Sequence, residues 1–230
     1  MSDSLKDRII IEGRDIGVDS PCLIVPEVGV NHNGSTKMAI EMIDAIAEAG
    51  AECVKFQTFD ATEFVGNSGE YYEYLSQGKL VRESQLEMFK RLQINYEDFA
   101  KLFDHARAKG LIPLSTPADK VAADLLEEIG VGAFKIGSDD LVHTPFIEYV
   151  SKKNKPIILS TGMADFSDIE RAVNIIKQQK NYEVCLLHCV STYPTKIEDI
   201  NLNNITELRT IFNCPVGFSD HSDGIMGALG

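Results

Sequence analysis

Short apolar runs of strand type alternate with segments of helical period along nearly the whole 230-residue chain, which predicts an α/β fold of βα units around a parallel sheet. Nearly every run also ends in a polar residue, and no G-x-G-x-x-G phosphate loop occurs. Within the α/β class these two features predict a TIM-type (β/α)8 barrel, whose chemistry sits at the carboxyl ends of its strands, rather than a doubly wound sheet.

The predicted strands are 22–30 (CLIVPEVGV), 51–59 (AECVKFQTF), 111–117 (LIPLSTP), 133–138 (AFKIGS), 156–163 (PIILSTGM), 184–191 (VCLLHCVS) and 215–221 (PVGFSDH). Helix 35–49 is the clearest: Ser35 is its cap candidate, Met38, Met42, Ala45, Ile46 and Ala49 form an apolar stripe, and Gly50 closes it. Further helices are expected at 95–109, 118–129, 145–154, 167–179 and 199–212, each placed as a parallel crossover requires. Span 60–94 breaks the rhythm. It carries Tyr71, Tyr72 and Tyr74 among acidic residues after a strand's carboxyl end, where it is either a lid or a surface excursion.

Seven strands are one short of a barrel, which closes only when its last strand pairs with its first. The chain reaches GIMGALG (224–230) just inside the place of helix seven, so 1–230 reads as a barrel domain that ends before strand eight. An open seven-stranded sheet is the alternative architecture.

At 44% hydrophobic and 25% charged residues the composition is that of a globular domain. A net charge of −13 argues against nucleic acid or an anionic membrane as partner, and means that an anionic substrate needs local cations. The amino-terminal MSDSLKDRIIIEGRDIG has charges flanking a three-residue apolar run, unlike a secretory signal or a membrane span, and predicts a cytoplasmic protein. Cys22, Cys53, Cys185, Cys189 and Cys214 include no C-x-x-C pair and lie mostly in apolar runs, so buried free thiols are expected.

Strand side chains alternate faces, so Glu27 and Gly29, Lys55 and Gln57, Lys135 and Gly137, and Ser219 and His221 can converge in one mouth. Lys55 and Lys135 stand in otherwise apolar strands, where a charge is costly unless something pairs with it. Either they face an anionic ligand, or they pair with Glu27 or Asp140 and only hold the fold together. Ser138, Ser160, Thr161, Ser191 and Ser219 add hydroxyl donors at four strand ends. His221, beside two aspartates in FSDHSDG, is a candidate metal ligand or acid–base group, with a capped loop histidine as the plainer alternative. NHNGS (31–35) reads as a turn into helix 35–49, His105 and His143 as peripheral, and mid-strand His188 as a hydrogen-bonded core residue.

PEVGVNHNG (26–34), VKFQTF (54–59), LSTP (114–117), FKIGS (134–138), ILSTGM (158–163), LLHCVSTYPT (186–195) and GFSDHSDG (217–224) together resemble the sialic acid synthases, that is, the N-acetylneuraminate, legionaminate and pseudaminate synthases. The resemblance runs from about residue 20 onward. It implies a TIM barrel followed by a small antifreeze-like domain, a domain-swapped homodimer, and a divalent metal, Mn2+ or Mg2+. The activity implied is condensation of phosphoenolpyruvate with an N-acylated amino-sugar aldehyde to a nine-carbon sugar acid and phosphate, with C–O cleavage. Lys55, Gln57, Lys135, Ser138, Ser160 and Ser219 resemble the family's phosphoenolpyruvate contacts, and Glu27 its active-site carboxylate. Asp140 and Tyr193 resemble its sugar-side contacts, and His221 the first of two metal-binding histidines. The second histidine, on strand eight, and an arginine from the antifreeze-like domain fall outside these 230 residues. In the N-acetylneuraminate branch an asparagine often replaces Ser191 and a glutamate often stands near Asp140, which leaves the acceptor sugar open. A Schiff-base aldolase using Lys135 or Lys55, and a truncated barrel that binds without turnover, are the competing readings.

Overall fold

A computed structural model describes residues 4–66, 69–76 and 78–229. They form two compact units, Ile24–Val131 and the combination of Met1–Leu23 with Gly132–Gly230.

The two-part unit starts with a hairpin that the sequence reading does not anticipate. β1 (Arg8–Ile11) pairs antiparallel with β2 (Arg14–Gly17), and alternation buries Ile9 and Ile11 while Ile10 faces out. Lys6 ties this segment to the rest of its unit, its backbone N–H donating to the Tyr182 carbonyl at 3.0 Å and its ammonium pairing with Glu183 at 2.8 Å.

The unit Ile24–Val131 contains β3 (Glu27–Gly29), α1 (Thr36–Glu48), β4 (Cys53–Thr58), α2 (Ala61–Phe64), β5 (Tyr71–Ser76), β6 (Lys79–Ser84), α3 (Gln85–Leu92), α4 (Tyr96–Ala108), β7 (Ile112–Pro117) and α5 (Lys120–Glu128). β3, β4 and β7 are parallel neighbours, in a register that sets Glu27 beside Lys55 and Lys55 beside Leu114. β3 is much shorter than the expected 22–30. Pro26 offers no N–H to a ladder, and the register shifts between Glu27 and Gly29, whose φ is +52°. The core is an aromatic cluster in which Phe56 of β4 meets Phe99 and Phe103 of α4 at ring separations of 5.6 and 6.0 Å. Each such fully buried ring contributes on the order of 1.5–3 kcal/mol.

Side chains cap the helices of this unit as their sequences suggest. Ser35 accepts from the Met38 N–H, Asn95 from Asp98, Asp119 from Ala122, and Ser84 forms a capping box with Glu87. The expected stripe on α1 is displaced by one residue, however. Ala39 and Ile43 are buried while Met38 is 40% exposed, because the face that meets the unit runs through 39 and 43, one helical step round from 38 and 42. Span 60–94 is itself structured, as α2, the antiparallel β5–β6 hairpin and α3; residues 67, 68 and 77 of it lie outside the described residues. Phe59, Phe64 and Phe89 bind α2 and α3 to the end of β4, with rings 4.8–5.8 Å apart. Arg91 of α3 reaches both Tyr74 (3.0 Å) and Glu83 (2.7 Å) of the hairpin.

The two-part unit continues as β8 (Phe134–Ile136), α6 (Thr144–Ser151), β9 (Ile157–Ser160), α7 (Phe166–Gln178), β10 (Val184–Cys189), α8 (Asn203–Phe212), β11 (Val216–Ser219) and α9 (Met226–Leu229). β8 pairs in parallel with β9, β9 with β10, and β10 with β11. The helix expected from 199 starts at Asn203, after a 3-10 turn at Ile197–Asp199. His188 is the core residue expected: Nε2 lies 2.6 Å from the Ile200 carbonyl and the ring stacks on Phe218. Four cysteines are buried, and Cys22 is exposed; all five are free thiols. No described helix is long and apolar enough to cross a membrane.

Candidate functional site

In the unit Ile24–Val131 the register of β3 against β4 brings three expected residues together. Lys55 Nζ lies 2.5 Å from Glu27 Oε1, and Gln57 Nε2 donates to the same oxygen at 3.5 Å. The lysine side chain is 13% exposed against 40% for the glutamate, so the ammonium is the recessed partner and the carboxylate the one in contact with solvent. Such a pair does hold β3 to β4, as the structural alternative requires, and still presents a charged edge at the strand ends. His32, in the NHNG turn after β3, is buried; its Nδ1 accepts from the Gly34 N–H at 3.0 Å, and burial lowers its pKa. This imidazole is a neutral brace for the turn.

In the two-part unit, Lys135 projects from β8 between buried Phe134 and Ile136 and is only 6% exposed. Its ammonium donates to Ser160 Oγ at 2.7 Å and to the Ile136 carbonyl at 3.0 Å. At the neighbouring strand end Ser138 Oγ accepts from the Gly162 N–H at 2.9 Å. A hydroxyl has one proton, so an oxygen already accepting from Lys135 or Gly162 keeps that proton to donate elsewhere. Ser191, just past β10, lies against Gly162: a Cβ there would sit 2.6 Å from Ser191 Oγ and 2.8 Å from Cys189 Sγ. Ser219 ends β11, in register with Cys189.

His221 follows β11, with Nδ1 3.1 Å from the Val190 carbonyl and 3.7 Å from Cys189 Sγ. The carbonyl can only accept, so Nδ1 carries the proton and Nε2 keeps its lone pair for a metal or an acid. Tyr193 packs on this imidazole with ring centroids 4.2 Å apart, and the residue as a whole is 72% exposed. Its loop is tied down by buried Thr195, whose N–H donates to the His221 carbonyl at 2.8 Å and whose hydroxyl donates to Thr192 at 2.7 Å. Asp140 stands between Asp139 and His143, whose Nδ1 is 3.6 Å away. Burial, reinforced by the charge of Asp139, raises its pKa to about 6 against the opposing pull of His143. It therefore exchanges its proton near neutral pH.

As a metal site the fit is incomplete. His221 offers one suitable nitrogen, but among the described residues no group of three or more His, Cys, Asp or Glu is arranged to hold an ion. Gly162, Cys189 and Thr195 are the contributors that sequence reasoning did not single out. Gly162 and Thr195 lie inside the motifs STGM and TYPT, but the motifs do not show that each touches a neighbouring strand end.

Parallel βα units whose strand ends carry lysines, hydroxyls and a histidine define a barrel-type α/β fold. The chain belongs to the NeuB family, whose model matches residues 42–230. It is 38% identical over 205 residues to the N,N'-diacetyllegionaminic acid synthase of Campylobacter jejuni, covering 88% of this chain and 61% of that protein. The enzyme of the same name from Legionella pneumophila is 37% identical over 215 residues, 91% of this chain and 60% of the relative. The chain thus spans about three fifths of the length of these curated relatives. Among solved structures it resembles the N-acetylneuraminic acid (sialic acid) synthetase of Leptospira borgpetersenii, determined in complex with citrate. The TM-score is 0.86 at 33% identity, over 97% of this chain and 73% of that one. The seven parallel strands accordingly belong to a TIM-barrel-type fold.

Proposed function

We propose that the chain is the catalytic barrel of an enzyme that condenses phosphoenolpyruvate with an N-acylated amino-sugar aldehyde, giving a nonulosonic (sialic-acid-like) acid and phosphate. The observation that carries this reading is the buried Lys135 ammonium against Ser160 at the strand ends, a cation and a hydroxyl prepared for phosphate or carboxylate oxygens in a chain of net charge −13. The names of the relatives support the product class.

Carbon C3 of phosphoenolpyruvate attacks the aldehyde carbon, leaving an oxocarbenium-like centre at C2. Water adds at C2, and phosphate departs with the bridging oxygen. Lys135 and Lys55, with Gln57, Ser138, Ser160 and Ser219, bind the phosphate and carboxylate. Glu27, the solvent-facing partner of Lys55, takes the proton of the attacking water. Asp140, Ser191 and Tyr193 face the sugar, and Asp140, with its pKa near 6, can donate to the forming alkoxide. A divalent cation, Mn2+ or Mg2+, would take His221 Nε2 as one ligand and supply Lewis acidity toward the aldehyde. Homodimeric assembly and a cytoplasmic location belong to the same proposal.

The test is phosphoenolpyruvate labelled with 18O at the bridging position. Recovery of the label in free phosphate is expected, and label kept in the sugar acid would refute C–O cleavage. Borohydride with pyruvate separates the Schiff-base aldolase, which would be trapped as a covalent adduct on Lys135 or Lys55.

A further inference from the structure

We infer that Gly162 is a positioning residue for anion recognition, acting through the Ser138 hydroxyl; the inference rests on the functional reading above. Gly162 follows β9 and reaches two neighbouring strand ends at once. Toward β8, its N–H donates to Ser138 Oγ at 2.9 Å. Toward β10, it leaves no room for a side chain, since a Cβ would lie 2.6 Å from Ser191 Oγ, 2.8 Å from Cys189 Sγ and 2.9 Å from the Cys189 carbonyl. The last of these is backbone and cannot rotate away, so any larger residue must push the 162 peptide off β10 and carry its N–H with it.

The consequence is chemical as well as steric. Held as an acceptor by a backbone N–H, the Ser138 hydroxyl keeps its single proton as a donor, which is what an anionic oxygen requires. Released from that N–H, the hydroxyl becomes a free rotor that can turn its proton onto any nearby carbonyl. Ser160 obtains the same polarity from Lys135, whose ammonium it accepts at 2.7 Å. Two serines on adjacent strand ends are thus made donors by two different groups, one a backbone amide and one an ammonium. The glycine is specified by contact: its φ is not in the left-handed region, and the neighbouring atoms alone exclude a side chain.

The experiment is a double-mutant cycle on the full chain with Gly162→Ala, Ser138→Ala and both together, reading calorimetric affinity for phosphoenolpyruvate and for inorganic phosphate alongside thermal melting. If Gly162 acts through Ser138, each single variant weakens binding by about tenfold or more, and the double variant is no weaker than Ser138→Ala alone. Additive losses, or unchanged affinity in Gly162→Ala, would overturn the inference. Should Gly162→Ala fail to fold, Ser138→Ala, which adds no atom, remains informative by amide exchange: the Gly162 N–H is expected to lose protection, and unchanged protection would also overturn it. A parent chain that binds neither phosphoenolpyruvate nor phosphate would sink the functional reading as well. A parent that binds while the cycle is additive would sink only the role of Gly162.

Discussion

Replacing Lys135 by alanine separates anion recognition from core filling. A buried ammonium is costly to desolvate, so its loss should leave the melting temperature unchanged or raised, while turnover falls by about a hundredfold or more. Steady-state kinetics and calorimetry on the same preparation provide the check, and a folded variant with near-normal turnover would remove Lys135 from the site. Asp140 is the opposite case. Its folded pKa, about 6, lies above the ordinary 3.8, so the folded state holds the proton more tightly. The stability this contributes is full below about pH 4 and is lost as pH rises through 6. Asp140→Asn should therefore stabilise the protein by about 3 kcal/mol at pH 8 and scarcely at pH 4, as read from urea melts at both values. Lys135 stood out in the sequence as a charge in an apolar strand, whereas Asp140 entered only as a possible ion partner and through the family resemblance. The proton shared between Asp140 and its surroundings was not, because it depends on burial and on how close Asp139 and His143 come.

At the level of elements, Gly34 joins the turn after β3 to α3. Its φ is +74°, and a Cβ would lie 2.1 Å from the Arg91 carbonyl. Gly34→Ala should cost about 3 kcal/mol or more, since strained backbone and a clash with main chain add. Chemical denaturation would show it as a lower midpoint, and an unchanged midpoint would mean that the turn is not held against α3. The seven parallel strands and the six helices α1, α4, α5, α6, α7 and α8 could be read from their periods because each contributes an apolar run or stripe of its own; α3 was not. The β1–β2 and β5–β6 hairpins could not. Their strands are partly charged and held by ties outside themselves, such as Lys6 to Glu183 and Arg91 to Glu83. The register that sets Glu27 against Lys55 likewise follows from a shift in the β3–β4 ladder that no periodicity announces.

For the molecule as a whole, the charge of −13 and the lack of a metal-holding cluster around His221 among the described residues make different demands on a cation. Scattered carboxylates attract Mn2+ weakly at low ionic strength and are screened by salt, whereas one histidine with water oxygens holds it poorly. Calorimetric titration of the 230-residue chain in about 0.15 M salt (roughly an 8 Å screening length) should find binding weaker than about 10 μM. Micromolar or tighter affinity would mean that His221 has partners beyond the clusters described. The cysteines offer a practical opening of another kind. Burial pushes the thiols of Cys185 and Cys214 up to about 12, Cys53 and Cys189 are enclosed, and Cys22 alone among the five is exposed. A maleimide dye should therefore mark the native protein once, at Cys22. Without any engineered mutation, that gives a fluorescent reporter of tumbling and self-association on the segment that follows the β1–β2 hairpin.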